Sequence, residues 1–262
     1  MILSIFKQDL PVFEALRKGI PAEALSLYLS GEASYYENRY GISLATIMPF
    51  LGLIKETESI PVIRKGETVQ SFLTPLEFEK HFNVIFRSKP RFERYTDLEA
   101  AIKLSDKLLK KRYLERFNDW TKALIEKQVR LSRLTQAAIK FIDKELGYGV
   151  FATSDIPQYT FVGEYSGIIR RRTARKDQFN NYIFGYTAAS NATRYVIDAK
   201  HEGNLTRFIN HSFEPNLISR WITIDGITRI VFVTKRGIKK GEQLSYDYGN
   251  DYWRTRREPK LL

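Results

Sequence analysis

The spacing of hydrophobic residues changes character about halfway along the chain. Over the first 130 residues, apolar side chains recur at intervals of three and four, which predicts a mainly helical structure. Thr74 is followed by a proline and then by Glu77, which is the pattern of a capping box. A helix is therefore predicted from residue 75 to about residue 82.

A longer helical pattern follows. Thr96 and Glu99 have the spacing of a second capping box, and apolar residues then recur at helical intervals as far as residue 134. A single helix of this length is unusual in a globular protein. The run is therefore expected to break near residues 110–113 and to give two helices.

After about residue 135, short runs rich in β-branched and aromatic residues alternate with turn-forming residues. This pattern predicts several small antiparallel sheets without long helices. Asp225 and Gly226 lie between two apolar runs, where an Asp-Gly pair predicts a tight hairpin turn. The predicted strands are residues 137–142, 149–152, 161–165, 182–185, 195–197, 221–224, 229–234 and 243–246.

The change of pattern divides the chain into three parts, and the fold class is α+β. Residues 1–130 are interpreted as an N-terminal helical module for docking or localisation. Residues 131–253 form the strand-rich domain, and residues 254–262 form a short basic tail without zinc ligands.

Composition limits the chemistry that the chain can perform. The chain has no cysteine, which excludes disulfides and thiolate metal sites. Its three histidines, His81, His201 and His211, are scattered along the sequence, so no metal site is expected. No apolar run approaches the length of a membrane span, and the first residues lack the basic segment of a signal peptide. Neither a transmembrane segment nor a secretion signal is therefore expected.

The chain carries a net charge of +12, which leaves two interpretations open. A basic surface contacts nucleic acid or chromatin, or it is a solvated surface that merely aids solubility. The second interpretation is slightly favoured, because the charges are spread along the chain. The densest basic clusters lie in residues 170–176 and 254–260.

Two polar motifs stand out in the strand-rich domain. Residues 207–216 read RFINHSFEPN, and residues 241–249 read GEQLSYDYG. Asn210 and His211 lie side by side after an apolar pair. Alternation along a strand places Tyr246 and the tyrosine two residues later on the same face. Together these side chains predict a small, partly dry polar pocket.

The two motifs resemble the sequence motifs of the SET-domain lysine methyltransferases. GYGVFA at residues 147–152, GEYSG at 163–167 and YVIDA at 195–199 precede them in the order of that family. The resemblance covers about residues 135–253. It implies a SET fold of several small curved antiparallel sheets, in which the two motif segments meet in a knot-like crossing. Phe213 stands where the family usually has cysteine.

The resemblance also implies a binding site for S-adenosylmethionine. Two glycines around one residue let a ligand approach the backbone closely, although this motif alone fits a plain turn better. Trp253 is expected either to stack on the adenine of the cofactor or to pack on the domain as an ordinary lid. The implied cofactor-binding residues are Gly147, Tyr148, Gly149, Asn210, His211 and Trp253.

Three tyrosines are the candidates for the channel that admits the substrate lysine, namely Tyr182, Tyr246 and Tyr248. Tyr248 matches the catalytic tyrosine of the family, and its implied role is to orient the amine and the methyl group. Tyr246 is the second catalytic candidate, because the family commonly has phenylalanine or tyrosine there and a phenol at that position would limit the number of methyl groups added.

The resemblance implies an enzyme that uses S-adenosylmethionine to methylate lysine side chains, mainly once, on a histone or a histone-like basic protein. The alternative is a catalytically silent SET module that acts as a basic scaffold for chromatin or nucleic acid. The pair of tyrosines favours the enzyme, since a silent module needs neither. The expected location is cytoplasmic or nuclear or, for a bacterial source, that of a secreted effector acting in a host nucleus.

Overall fold

A computed structural model describes residues 46, 48–52, 56–67, 69–132, 136–173, 177–189 and 191–253 of the chain. The predictions for most of the first 55 residues and for the basic tail at residues 254–262 lie outside the described residues. Within the described ranges, none of the helices combines the length and the apolar character that crossing a membrane requires.

The longer helices lie before residue 131, where the sequence predicts them. Helix α1 spans Pro75–Phe82, α2 spans Tyr95–Leu109, α3 spans Arg112–Arg130, and a short helix α4 spans Asn250–Trp253. The predicted break near residues 110–113 is thereby confirmed.

Helix α1 begins with the capping box that the sequence predicts. The hydroxyl of Thr74 accepts a hydrogen bond from the backbone N–H of Glu77, and the carboxylate of Glu77 accepts one from the backbone N–H of Thr74 at 2.8 Å. The corresponding prediction for α2 is wrong. That helix begins at Tyr95, and Arg94 at its N-cap makes no side-chain capping hydrogen bond. The first turn of this helix instead buries Tyr95 and Leu98 in the core.

All eight predicted runs correspond to strands of the described residues, and seven further strands lie outside the predicted runs. They are β1 Ile60–Ile63, β2 Ser71–Leu73, β3 Ile85–Phe86, β4 Arg91–Phe92, β5 Ala137–Phe141, β6 Tyr148–Ala152, β7 Phe161–Glu164, β8 Ile168–Arg171, β9 Ile183–Ala188, β10 Asn191–Asp198, β11 Glu202–Gly203, β12 Asn210–His211, β13 Leu217–Ile224, β14 Ile227–Thr234 and β15 Gln243–Tyr246. The hairpin between β13 and β14 is confirmed, because Asp225 and Gly226 both have the positive φ angles, 51° and 72°, that such a turn requires.

These strands form several sheets, as predicted, but the expectation that all of them are antiparallel is wrong. In the described residues, one sheet has the order β12-β15-β6-β5-β1-β2, a second has the order β4-β8-β10-β9, and a third has the order β13-β14-β7. A two-stranded sheet joins β11 to β3. Most pairs are antiparallel, but β1 with β5, β3 with β11, β4 with β8, and β12 with β15 are parallel.

The structure differs from the expectation of a separate helical module before residue 131. Strands β1 to β4 lie in that half, and three of them pair with strands from the other half: Val62 of β1 lies opposite Ile139 of β5, and β3 and β4 join β11 and β8. Strands β3 and β4 have only two residues each, so no alternation marks them in the sequence. Their pairing is a tertiary effect.

The hydrophobic core likewise spans both halves. A large buried cluster combines Phe78 of α1 and Leu98 of α2 with Phe208, Phe232 and other side chains of the strand-rich half. A smaller cluster lies under α3, where Val129 packs with side chains of β13 and β14. Within the described residues, the expected boundary at residue 130 therefore does not separate two cores.

The two polar motifs meet in the fold. Strand β12 runs parallel to β15, with Asn210 opposite Ser245 and His211 opposite Tyr246. This places the side chains of RFINHSFEPN next to those of GEQLSYDYG, as the resemblance implies. The knot-like threading of these segments stays a prediction.

Candidate functional site

The turn before β6 brings the backbone close to β12 and β15. Gly147 has a φ angle of +73°, which favours glycine. A Cβ on Gly149 would lie 2.8 Å from Nε2 of Gln243 and 3.2 Å from Nδ2 of Asn210. Because residue 149 is a glycine, the side chains of Gln243 and Asn210 are able to pack directly against β6.

Asn210 ties β12 to this turn. Its Nδ2 donates a hydrogen bond to the backbone carbonyl of Tyr148 at 3.2 Å. The ring of Tyr148 points elsewhere, with its centroid 5.0 Å from that of Phe82 and 5.5 Å from that of Phe141. Tyr148 thus contributes its backbone to the site, and its side chain packs in an aromatic cluster beside α1.

His211 is buried at the junction of the two motifs. Its Nδ1 accepts a hydrogen bond from the backbone N–H of Tyr248 at 3.1 Å, and its side chain is only 4% exposed. Because Nδ1 accepts this hydrogen bond, the geometry fits a neutral imidazole with its proton on Nε2. The ring lies between aromatic neighbours, with centroid distances of 4.6 Å to Phe213 and 4.8 Å to Trp253.

Phe213, which stands where the family usually has cysteine, has a defined place in the structure. Its ring meets that of His211 edge-on, with an interplanar angle of 88°. The side chain of Phe213 is half exposed. It therefore lies between solvent and one side of the buried imidazole. The departure from the family pattern therefore supplies an aromatic contact at the junction of the motifs.

Tyr246 and Tyr248 come together, as the alternation predicts. Their ring centroids are 4.7 Å apart, and the hydroxyl of Tyr248 donates a hydrogen bond to the carbonyl of Ile209 at 2.9 Å. Burial raises the pKa of both phenols well above the ordinary value. Both side chains therefore remain neutral hydrogen-bonding groups over the whole physiological range of pH.

Three further aromatic residues form the wall behind this pair, and the sequence analysis did not identify them. The ring of Phe232 lies 4.6 Å from that of Tyr246, and the ring of Phe184 lies 5.9 Å from it. Tyr165 packs on Phe184 at 5.1 Å and is buried. Its place in the GEYSG motif was a signal that could have indicated a role.

Tyr182 lies at the edge of this group. The guanidinium of Arg207 stacks over its ring at 4.1 Å, and its backbone carbonyl accepts a hydrogen bond from the hydroxyl of Tyr165 at 3.2 Å. Its neighbours Asn181 and Ile183 line the adjacent groove, whereas Tyr182 itself does not. Of the three predicted channel residues, the structure therefore brings two together and leaves Tyr182 to one side.

A groove of about 490 Å³ opens beside the tyrosine pair. It runs between β9 and the segment that leads into α4. Its lining includes Phe184, Gly185, Tyr246, Tyr248, Gly249 and Tyr252. The phenols of Tyr246 and Tyr248 are both part of this lining.

An ion-pair network holds the wall of the groove. Nη2 of Arg170 lies 2.7 Å from Asp177 and 2.8 Å from Asp198, and Nδ2 of Asn180 donates a hydrogen bond to the other oxygen of Asp198 at 2.8 Å. Arg171 pairs with the buried Asp97 at 3.1 Å. Two arginines of the densest described basic cluster are therefore committed to internal ion pairs, which reduces the basic surface that this cluster presents.

Trp253 covers the junction of the two motifs. Its ring is nearly parallel to that of Tyr248, with an interplanar angle of 9° and centroids 6.2 Å apart. Its Nε1 is buried and has no hydrogen-bond partner among the described residues. No group of three histidine, aspartate or glutamate side chains with the geometry of a metal site occurs in the described part of the chain.

Comparison with known protein families gives a match over the segment that contains this site. Residues 147–249 match the family model of the SET domain. All of the candidate residues except Trp253 lie within the matched segment.

The relatives of this segment are histone-lysine N-methyltransferases by name. The chain is 38% identical to human "Histone-lysine N-methyltransferase EHMT1" over 115 residues, which cover 42% of this chain and 9% of that protein. It is 43% identical to "Histone-lysine N-methyltransferase ASHH3" of Arabidopsis thaliana over 116 residues, covering 42% of this chain and 32% of that protein. The matched segments thus span less than a third of either relative.

A solved structure of KRYPTONITE in complex with mCHH DNA, H3(1-15) peptide and SAH is also similar to this chain. The sequence identity is 31%, and the TM-score is 0.39. The match covers 47% of this chain and 25% of that one.

Proposed function

We propose that the chain is a protein-lysine methyltransferase that uses S-adenosylmethionine. The observation that carries this proposal is the arrangement at the junction of β12 and β15, where the neutral phenol of Tyr248 lies between the buried His211 and the wall formed by Tyr246. The groove borders this junction at Tyr246 and Tyr248, and the Gly149 turn meets it at Asn210. The names of the relatives of the SET segment support the same activity.

The residues around the Gly149 turn fit the cofactor. The glycine lets Asn210 and Gln243 pack directly against the turn, and the buried Nε1 of Trp253 is a donor without a partner among the described residues. When bound, S-adenosylmethionine supplies a methyl group on a sulfonium. The residues proposed to hold it are Gly147, the backbone of Tyr148, Gly149, Asn210, His211 and Trp253.

The groove residues have to deliver a neutral lysine amine. At pH 7 an ordinary lysine is almost fully protonated, and deprotonating it costs about 4.6 kcal/mol. The aromatic wall of Phe184, Phe232 and Tyr246 lowers this cost by desolvating the ammonium form.

Tyr248 holds the reacting groups in line. Its hydroxyl is fixed by the hydrogen bond to the carbonyl of Ile209. The hydroxyl oxygen of Tyr248 and the carbonyl oxygen of Ile209 therefore have defined positions next to each other. Such fixed groups accelerate the transfer by orientation and by electrostatic stabilisation, without a covalent intermediate.

We further propose that the product is mainly monomethyl-lysine on a histone or a histone-like basic protein. The phenol of Tyr246 is buried beside Tyr248, where it is able to hold a water molecule next to the lysine nitrogen. Displacing a well-held water without replacing its hydrogen bonds is unfavourable. The space for a second methyl group is thereby reduced.

A calorimetric titration of the full chain with S-adenosylmethionine tests the proposal, followed by incubation with methyl-labelled cofactor and individual purified histones. Micromolar binding and label on lysine are expected. A catalytically silent scaffold would bind DNA or histones without transferring the label. Absence of cofactor binding up to about 1 mM would contradict the proposal, because that limit corresponds to roughly 4 kcal/mol of binding free energy.

A further inference from the structure

The outer face of α3 carries an exposed row of large apolar side chains, which we call the α3 row. Tyr113, Trp120, Leu124 and Leu131, which directly follows the helix, are spaced by seven, four and seven residues. This spacing places them on one face of the helix. Their exposed fractions are 67%, 58%, 46% and 60%. Four such residues on one helix face form an apolar row rather than scattered exposure.

The fold does not need this row, because the opposite face of α3 already anchors the helix. Asn118 makes two hydrogen bonds to the backbone of Thr223 in β13, at 2.7 and 3.0 Å. Ile125 and Val129 are buried against β13 and β14. The inner face of α3 thus attaches the helix to the fold, and the α3 row on the outer face remains exposed to solvent.

The unpaired charges on the face of the α3 row are cationic, whereas Glu126, which lines the same depression as Leu124 and Leu131, is paired with Arg130. Arg116 and Lys127 lie three or four residues from members of the row, so they share its face. Both are exposed, and neither forms an ion pair with another described residue. Arg130, by contrast, is held by Glu126 and Asp225. Arg116 and Lys127 are therefore available to an external carboxylate.

We propose that the α3 row is the docking surface for an acidic amphipathic helix of a partner protein. An apolar stripe along a 19-residue helix fits the apolar face of a second helix, and the two bordering cations fit acidic residues on its flanks. A second copy of this chain fits less well. Its own cations would face those of the first copy, and two chains that each have a net charge of +12 repel each other. Nucleic acid also fits less well, because Leu124 and Leu131 offer no ring on which a base stacks.

The test uses a fluorescein-labelled synthetic peptide of about 20 residues, with leucines at helical spacing and glutamates on both flanks, titrated with the full chain. The matched peptide has lysine in place of glutamate. We expect saturable binding of the acidic peptide and at least tenfold weaker binding of the basic one. Bound acidic peptide should also protect Trp120, which is exposed, from acrylamide quenching.

Two variants and one control locate the site. Trp120→Ala should weaken binding of the acidic peptide at least tenfold, as expected for an aromatic anchor. Lys127→Glu should weaken it severalfold and should improve binding of the basic peptide. Phe72→Ala, which removes an equally exposed aromatic side chain from β2, should leave both affinities unchanged. Thermal unfolding of each variant confirms that it is folded, and Lys127→Glu keeps the test decisive if Trp120→Ala does not fold.

Several outcomes would overturn the proposal. One is no saturable binding of the acidic peptide up to about 1 mM. Another is an equal loss of binding in Phe72→Ala. A third is competition by a single-stranded oligonucleotide that Trp120→Ala abolishes, which would assign the row to nucleic acid. A dimer in sedimentation that Trp120→Ala dissociates would assign it to self-association.

Discussion

The backbone N–H of Tyr248 donates a hydrogen bond to Nδ1 of His211, although the two residues are 37 positions apart in the chain. The bond fixes the path of the chain just after β15, because the imidazole is itself held by rings on several sides. His211 thus positions Tyr248, and a change at His211 is expected to move the phenol as well as the surface beside it.

Tyr248→Phe is expected to retain the fold and lose turnover. The phenyl ring preserves the contacts with Tyr246 and Trp253, but the hydrogen bond to the carbonyl of Ile209 disappears. Loss of one fixed polar group at a reacting centre lowers kcat by about 10²-fold or more. Single-turnover kinetics with a peptide substrate measures this effect. Calorimetry should give an unchanged affinity for S-adenosylmethionine, and wild-type turnover in the variant would remove Tyr248 from the mechanism.

Tyr246→Phe is expected to change the product rather than the rate. The variant keeps the ring against Phe232 and removes the hydroxyl that is proposed to hold a water. One or two hydrogen bonds correspond to roughly 1–3 kcal/mol, enough for a tenfold or larger change in product ratio. Mass spectrometry of one peptide should therefore detect a shift from monomethyl- to di- or trimethyl-lysine. Trimethyl-lysine from the native chain would exclude this tyrosine as the gate.

Gly149→Ala is expected to weaken cofactor binding. The added methyl group would lie 2.8 Å from Nε2 of Gln243 and from Cδ1 of Ile142, so at least one of these side chains has to move, and Asn210 is crowded as well. We expect a loss of tenfold or more in affinity for S-adenosylmethionine, measured by calorimetry. Gly185→Ala is the matched control, because a Cβ there meets no atom closer than 3.9 Å. Equal affinities in both variants would place the cofactor elsewhere.

Glu164 is expected to make the protein less stable as the pH rises. It is buried, and both carboxylate oxygens lack a hydrogen-bond partner among the described residues. Burial raises its pKa from 4.5 to about 7, and the charges of Arg229 and Lys89 offset part of that effect. Between these pH values the folded state keeps a proton that the unfolded chain has lost. The free energy of unfolding therefore falls by an amount on the order of 3 kcal/mol between pH 4.5 and pH 7.

Chemical denaturation of Glu164→Gln at several pH values measures this contribution. The variant cannot titrate at residue 164, so its stability relative to the native chain should rise as the pH increases from about 4.5 to about 7. Glu58 also has a pKa raised to about 7 by burial, and the difference between variant and native chain cancels its effect. Glu242→Gln is the control of opposite sign at lower pH: the ion pair with Arg236 lowers the pKa of Glu242 to about 2, so the stability of this variant relative to the native chain should fall as the pH rises from about 2 to about 4.5. A stability difference for Glu164→Gln that is independent of pH would contradict the assignment.

A fragment that begins near residue 127 is expected not to fold. It would lack β1, β3 and β4, which belong to three of the sheets that contain strands of the strand-rich half. It would also lack Arg91, whose Nε donates a hydrogen bond to Glu202 at 2.7 Å. Circular dichroism and thermal unfolding of the fragment test this expectation. A cooperative transition in the fragment would show that residues 131–253 are an independent domain.

Local signals allowed the sequence to predict several elements correctly. Thr74 with Glu77, and Asp225 with Gly226, specify a helix start and a hairpin through contacts within a few residues. The approach of Tyr246 to Tyr248 followed from the two-residue period of a strand.

Features that depend on distant pairing were not predictable in the same way. Strands β3 and β4 are too short to have a pattern, and their partners lie more than 70 residues away in the chain. Which aromatic side chain faces the groove depends on the register of β9 against β10, so Phe184 was missed and Tyr182 was chosen instead. The aromatic character of the site could be predicted from the sequence, but which aromatic side chains line the groove could not.

The parallel pairing of β1 with β5 and of β3 with β11 has a consequence for how the chain reaches its native state. A ribosome completes β1 and β3 well before it makes their partners, so these strands have unpaired edges during synthesis. Native contacts of such high sequence separation slow folding, since a long loop has to close before they form. We therefore expect the nascent chain to stay open to aggregation until β11 has emerged, and a chaperone that covers strand edges to increase the yield of soluble protein.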